Sequence, residues 1–301
     1  MLQLANRTPY AVQVTILPDR RGVEAVVLIV QGSFRLGSGA VAEDQAPLVM
    51  ADAWVGEPGQ GALRDASDLA LEKPATDVLL TGVARPPGGR ATPFFASAFS
   101  VGPVRKEVAV CGPRTWERSW FGERASPPAA VAEVSLDWDS ALGGDRPPQV
   151  WHPERPVARR TRVPAPWGGC GPIPPTWAPR VGYAGTYDQG WQRTRAPYLP
   201  ADFDPRFFQT APPEQIAPGH LEGGEAIALH GCHPAGDFQG AVPRRQLQAG
   251  FIVAGSTQRP PLRLDTIRLL PECDEIRLVW RALLPLGGRV LQLQRVEVSD
   301  G

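Results

Sequence analysis

His230, Cys232 and His233, in the pentapeptide HGCHP, come closest to a set of metal ligands. In a strand, positions 230 and 232 point one way and 233 the other, so the three do not easily grip one ion. Zinc would also need a fourth group from elsewhere. Turn and cap roles are expected for them, and no metal site is. Nucleophilic catalysis needs Ser, Cys or Thr near a His and a carboxylate. No G-x-S-x-G elbow occurs, and Cys170 in GGCGP has only glycines for local support. Asp202 and Asp204, two apart in ADFDPRFF, could form an acid pair, but glycosidase pairs come from separate elements. Asp before Pro more often caps a turn. Asp52, Asp65, Asp68, Glu72 and Asp77 offer oxygens for calcium, yet Lys73 among them would repel the ion and no glycine-punctuated loop is present. A buried Lys–Asp pairing is the expectation there. The residues point to no catalytic group, no metal and no cofactor.

A different chemistry runs from residue 167 to 208. Trp167, Trp177, Arg180, Tyr183, Tyr187, Trp191, Arg193, Arg195 and Tyr198 interleave rings with guanidinium groups among prolines. Arginine stacks on aromatic faces, and Trp, Tyr and Arg dominate protein–protein hot spots. The same rings could instead pin a strandless segment to a sheet. Tyr187, Trp191, Phe203 and Phe207 are read as pins. Arg193 and Arg195 are read as contacts for a partner, with Trp167, Trp177, Arg180, Tyr198 and Arg206 as further candidates.

These residues must be held by a mainly β chain. Thirty-two Gly and thirty-four Pro make up roughly a fifth of the 301 residues, against about an eighth on average. That excess opposes long helices and favours short strands with turns. AVQVTIL (11–17) alternates like a half-buried strand, and VEAVVLIVQGSFRL after DRRG reads as a long, more buried one. TDVLLTGVA (76–84), FFASAFSV (94–101), KEVAVCG (106–112) and AVAEVSLDW (130–138) follow. From about 147 to 213 periodicity disappears, while fifteen prolines and four tryptophans appear. Disordered linkers lack such rings, so a folded, irregular segment is expected. EAIALHG, QAGFIVAG, LRLDTIRLL, EIRLVWRALL and RVLQLQRVEV return to strand character, the last three reading as an antiparallel meander. The expected architecture is an antiparallel β-sandwich or partly closed barrel. Its regions are 1–146, an irregular connection 147–216, and 217–301, which may share one core with the first.

Net charge is zero, with 31 basic and 31 acidic residues, and shows no basic excess for nucleic acid. Four dispersed cysteines fit neither a zinc ribbon nor a secreted disulfide framework. No leader peptide or membrane-length apolar run is evident, so a cytoplasmic protein without membrane insertion is expected.

TPY, LIVQGSFRL, SDLALEKPATDVLLTGVA, KEVAVCGPRTW, CGPIPPTWAPRVGYAGTYDQGWQRTRAPYLPADFDPRFFQTAPPEQ and LDTIRLLPECDEIRLVWRALLP span the chain. In these the sequence resembles a bacterial family of unknown-function domains encoded in type VI secretion gene clusters. The resemblance marks Asp68, Lys73, Asp77, Tyr187, Asp188, Trp191, Asp202, Phe203, Asp204, Phe207 and Phe208 as signature residues. It implies a non-enzymatic adaptor or chaperone that helps load an effector onto a secreted spike, with the effector or a spike-tip protein as partner. The stretch ALGGDRPPQVWHPERP is shorter than the insertion relatives tend to carry there. Two other functions remain open on the residues: a carbohydrate-binding or carbohydrate-active sandwich, and a structural component of the contractile assembly.

Overall fold

The strand Glu24–Arg35 is buried at ten of its twelve residues, as its β-branched run predicts. It lies inside a five-stranded sheet whose order is Ala11–Pro18, Glu24–Arg35, Glu275–Pro285, Arg263–Leu270 and Asp77–Leu80. All neighbours in this sheet are antiparallel except the last pair. The computed structural model describes residues 2–59, 61–112, 116–138 and 169–301; Trp167 lies outside them.

A four-stranded sheet joins Phe238–Ala241, Ala226–His230, Phe94–Val101 and Val104–Cys111. Another joins Gln3–Arg7, Leu293–Asp300, Leu247–Val253 and Ser256–Gln258, its first pair parallel. All three sheets mix strands from the two ends of the chain or its first and last thirds. One core accordingly gathers Val26, Leu28 and Val30 with Phe99, Ile227, Phe251 and Val296. Within it Tyr10, Phe34 and Trp280 pack ring on ring at 5.6–6.4 Å between centroids. The architecture is sandwich-like, and no sheet among the described residues closes into a barrel.

Two strand expectations need correction. Arg263–Leu270 and Glu275–Pro285 form the expected hairpin, but Leu293–Asp300 leaves for another sheet. Leu286 is wholly buried and a 3-10 turn at Val290–Gln292 redirects the chain. AVAEVSLDW yields only the two-residue strand Val134–Ser135. A hairpin that the sequence does not announce pairs Trp116–Ser119 with Gly122–Ala125, and its turn residues Trp120 and Phe121 are fully exposed.

On the second face of the five-stranded sheet the apolar cover, among the described residues, is irregular chain. Ala25, Val27, Ile29 and Val279 are covered there by Leu48, Leu71 and Phe208, from segments without long strands. Strandless cover hides polar groups too, and each must find a partner.

Candidate functional site

On that covered face, Arg281 donates to Asp265 at 2.6 Å and to the carbonyls of Ala70 and Asp68. Arg268 donates to Asp68 at 2.6 Å and to Gln31 at 3.0 Å. Lys73 donates to Asp77 and to Thr266, both at 2.8 Å. The ladder register slips between Leu264 and Thr266, so that Asp265 bonds Arg281 on the same face on which Thr266 meets Lys73. Asp68, Lys73 and Asp77 of the signature are thus members of one buried network, and the expected Lys–Asp pair is in it.

The chain has two lysines, Lys73 and Lys106, and both are buried. Lys106 ties the irregular segment to a sheet directly, and Lys73 does so through Asp77. Asp77, beside Lys73, accepts the Thr210 N–H at 2.8 Å. Lys106 donates to the Gly169 carbonyl and to Gln215 at 2.8 Å, and pairs with Glu214 at 2.9 Å. Gln215 in turn donates to the carbonyls of Val78 and Cys170.

Between these clamps the segment is organised by caps and rings. Asp188 caps the helix Gln189–Thr194 by accepting from the Trp191 N–H at 2.8 Å. Asp202 accepts from the Thr186 N–H and hydroxyl, which hold its carboxyl below the usual range. Asp204 caps Pro205–Phe208 and pairs with Arg206, whose hydrogen bond keeps its carboxyl low too. Both aspartates are held in the ionised form by these hydrogen bonds, which suits neither to donate a proton at neutral pH. Gly185 sits at φ +79° where a Cβ would come within 2.9 Å of Pro200, so the turn before Tyr187 requires glycine.

Phe203 is buried and meets Phe207 and Phe208 at 5.6 and 5.3 Å. Trp191 donates its indole N–H to the Tyr198 carbonyl, and Tyr187 stands edge-on to Trp191 at 4.8 Å. Tyr187 is itself exposed, so it leans on Trp191 and pins nothing to the core.

Several residues expected to face a partner do something else. Trp177 is 7% exposed, edge-on to Trp138 beside Ile173 and Ala62. Arg180 is 6% exposed, donates to the carbonyls of Ile173 and Phe207 and lies over the Phe207 ring; burial lowers its pKa. Proline-rich backbone leaves carbonyls without partners, and this guanidinium supplies the donors. Arg195 clasps the Leu199 carbonyl and that of Arg20. Arg193 and Arg206 do reach the surface, the latter stacked 4.4 Å above Tyr183. Tyr198 is exposed, its ring against Gly22, which has φ +80°.

What the segment builds is a cleft of about 340 Å³. Leu199, Phe203, Pro205 and Phe208 of the AGTYD…RFF signature form one wall. Leu71 and Glu72 of SDLALEKPATD, and Leu283 and Pro285 of the WRALLP strand, form the others. Asp19, Arg20 and Arg21 stand at the rim. A second cleft of about 260 Å³ shares Glu72 and Leu283 and adds Arg263 and His220. Three separated motifs converge on one amphipathic groove with an exposed carboxylate, Glu72, between basic ends. In the sequence, DRRG reads only as the stretch before a strand, and Leu283 only as part of one. A doubled arginine in a turn was the one signal available.

The cluster HGCHP is dispersed. His230 faces Asp237 at 3.2 Å, His233 stacks on Phe238, and Cys232 is buried against the Ala98 carbonyl. Among the described residues no group of three His, Cys, Asp or Glu could hold a metal ion. Burial pushes the Cys170 thiol up to about 12 and raises that of Cys232. In the folded protein, Cys273 is therefore expected to react quickly with a thiol reagent at neutral pH, whereas Cys170 and Cys232 react only after denaturant is added. A time course of reagent colour with and without denaturant reads this directly.

No described helix is long and apolar enough to cross a membrane. Compared with known proteins, the chain matches no curated protein and no solved structure. A family model described as an uncharacterized protein conserved in bacteria (DUF2169) matches residues 21–150 and 145–281, which include most of the groove and all of the buried network. The chain belongs to that bacterial family.

Proposed function

We propose that this protein is a non-enzymatic, cytoplasmic adaptor or chaperone of a type VI secretion system, which binds an effector or spike-tip protein and assists its loading. The convergence of three signature motifs on the groove carries the reading. Leu71, Phe208 and Leu283 offer apolar surface there, and Arg20, Arg21 and Glu72 offer charge for orientation. The sequence resemblance supplies the cellular context.

Co-purification with the effector or spike-tip protein from the same gene cluster tests it. Arg21→Glu combined with Glu72→Arg is expected to weaken that complex by about tenfold or more while leaving the melting curve unchanged, because both side chains are exposed. If neither protein co-purifies, and effector levels survive deletion of this gene, the reading fails.

A further inference from the structure

The strand Ala11–Pro18 is an edge of the five-stranded sheet and, among the described residues, pairs on one side only, Gln13 opposite Ile29 and Thr15 opposite Val27. In an antiparallel ladder alternate residues turn both main-chain groups toward the neighbour, and the others turn both away. Just past the strand the Asp19 N–H donates to the Val23 carbonyl at 2.8 Å, which places the odd-numbered residues toward the neighbour and identifies the even-numbered residues as the outward set. Pro18 belongs to that set, where its missing N–H removes no ladder bond.

Both ends of this outward edge are closed. The Tyr10 N–H is taken by the Thr8 hydroxyl at 3.3 Å and its carbonyl by Asn6 at 2.9 Å. Pro18 has no donor. Between them, Val12 and Ile16 have no main-chain hydrogen bond outward to any described residue, and Val14 has only the Gln13 amide. Native edges are blunted by charge, proline or a bulge. Residues 11–17 carry no charge, and the pairing of this strand shows no bulge.

The open window is symmetric. It is centred on Val14, with one open position and then one closed position on either side. We propose that two copies of this chain pair antiparallel along Ala11–Pro18 about a twofold axis through Val14, joining two five-stranded sheets into one. Val12 then lies opposite Ile16 of the second copy, and Val14 opposite Val14. Every outward donor and acceptor from 12 to 16 gains a partner. On the other face Ala11 meets Leu17 and Gln13 meets Thr15, so no like charges oppose. A foreign strand would satisfy the main-chain groups equally, but it needs no such symmetry.

Light scattering on the full chain over a rising concentration series should show mass moving toward twice that of one chain. Ile16→Lys and Ile16→Pro alter an exposed, outward position and should raise the dimer dissociation constant by about tenfold or more. Their circular dichroism melts should match the parent. In a Cys273→Ser background, Gln13→Cys with Thr15→Cys should oxidise to a covalent dimer, since such facing positions lie about 4.5 Å apart between Cα atoms. Gln13→Cys alone should not. A chain that stays monomeric and uncrosslinked, a dimer untouched by the Ile16 variants, or an edge occupied instead by another protein's strand each overturns the proposal.

Discussion

Asp77→Ala is expected to lower the unfolding free energy by about 3–5 kcal/mol, seen as a lower urea midpoint with little change in slope. Asp77 is wholly buried, and one of its oxygens receives the Lys73 ammonium, the Thr210 N–H and the Thr210 hydroxyl. Removing it leaves a buried ammonium with only the Thr266 hydroxyl. Lys73→Met alone should also destabilise, since it leaves the carboxylate buried without its counter-charge. The pair Lys73→Met with Asp77→Leu should cost less than the two singles added, by about 0.5–3 kcal/mol, because neither charge is then stranded. Strict additivity would mean that the two charges are not coupled. Thr210 also loses its anchor, so limited proteolysis of Asp77→Ala should cut earlier within 184–212 than in the parent protein.

Phe203→Ala is the second change with a large effect. The ring is 4% exposed, packs on Phe207 and Phe208 and lines the groove. Truncation of a buried phenylalanine costs about 3–5 kcal/mol. The loss should fall first on the irregular segment, because the three sheets keep their own core without this ring. Proteolysis inside 184–212 should accelerate while strand amides of the Glu24–Arg35 region stay protected from hydrogen exchange. If the groove docks the secretion partner, co-purification should fall by about tenfold or more in the same variant. Uniform loss of protection across the sheets would instead make Phe203 part of the global core.

The two predictions describe one design. Rings alone do not hold a proline-rich segment, because its carbonyls still need donors and its ends still need anchoring. Arg180 and Arg195 supply donors from within the segment, Lys106 anchors it at Gly169 and Gln215, and Asp77, paired with Lys73, anchors it at Thr210. The arginines picked out for partner contact by composition are therefore divided between scaffold and surface. Composition could not divide them, since a guanidinium on a buried carbonyl and one on a partner's carboxylate look alike in sequence.

Local chemistry was legible. The alternation in AVQVTIL, the β-branched run after DRRG and the pairing of LRLDTIRLL with EIRLVWRALL follow from the period of a strand and short connections. Asp188 and Asp204 are caps for reasons contained in a few neighbouring positions, whereas Asp202 reaches across the segment to Thr186. The Lys73–Asp77 pairing was legible too, from the charge pattern of one loop. Pairing across the chain was not. Phe94–Val101 meets Ala226–His230, and Leu293–Asp300 abandons the meander for Leu247–Val253 and Gln3–Arg7, because long-range strand order depends on which apolar faces bury each other. The groove belongs to this second kind. Its walls come from residues some two hundred positions apart, each unremarkable locally. By itself the sequence determined most of the strands, the local caps and the Lys73–Asp77 pair, which local sterics and the cost of unpaired polar groups dictate. Only the tertiary structure decided which rings and arginines remain at the surface, since exposure is a property of the packed whole.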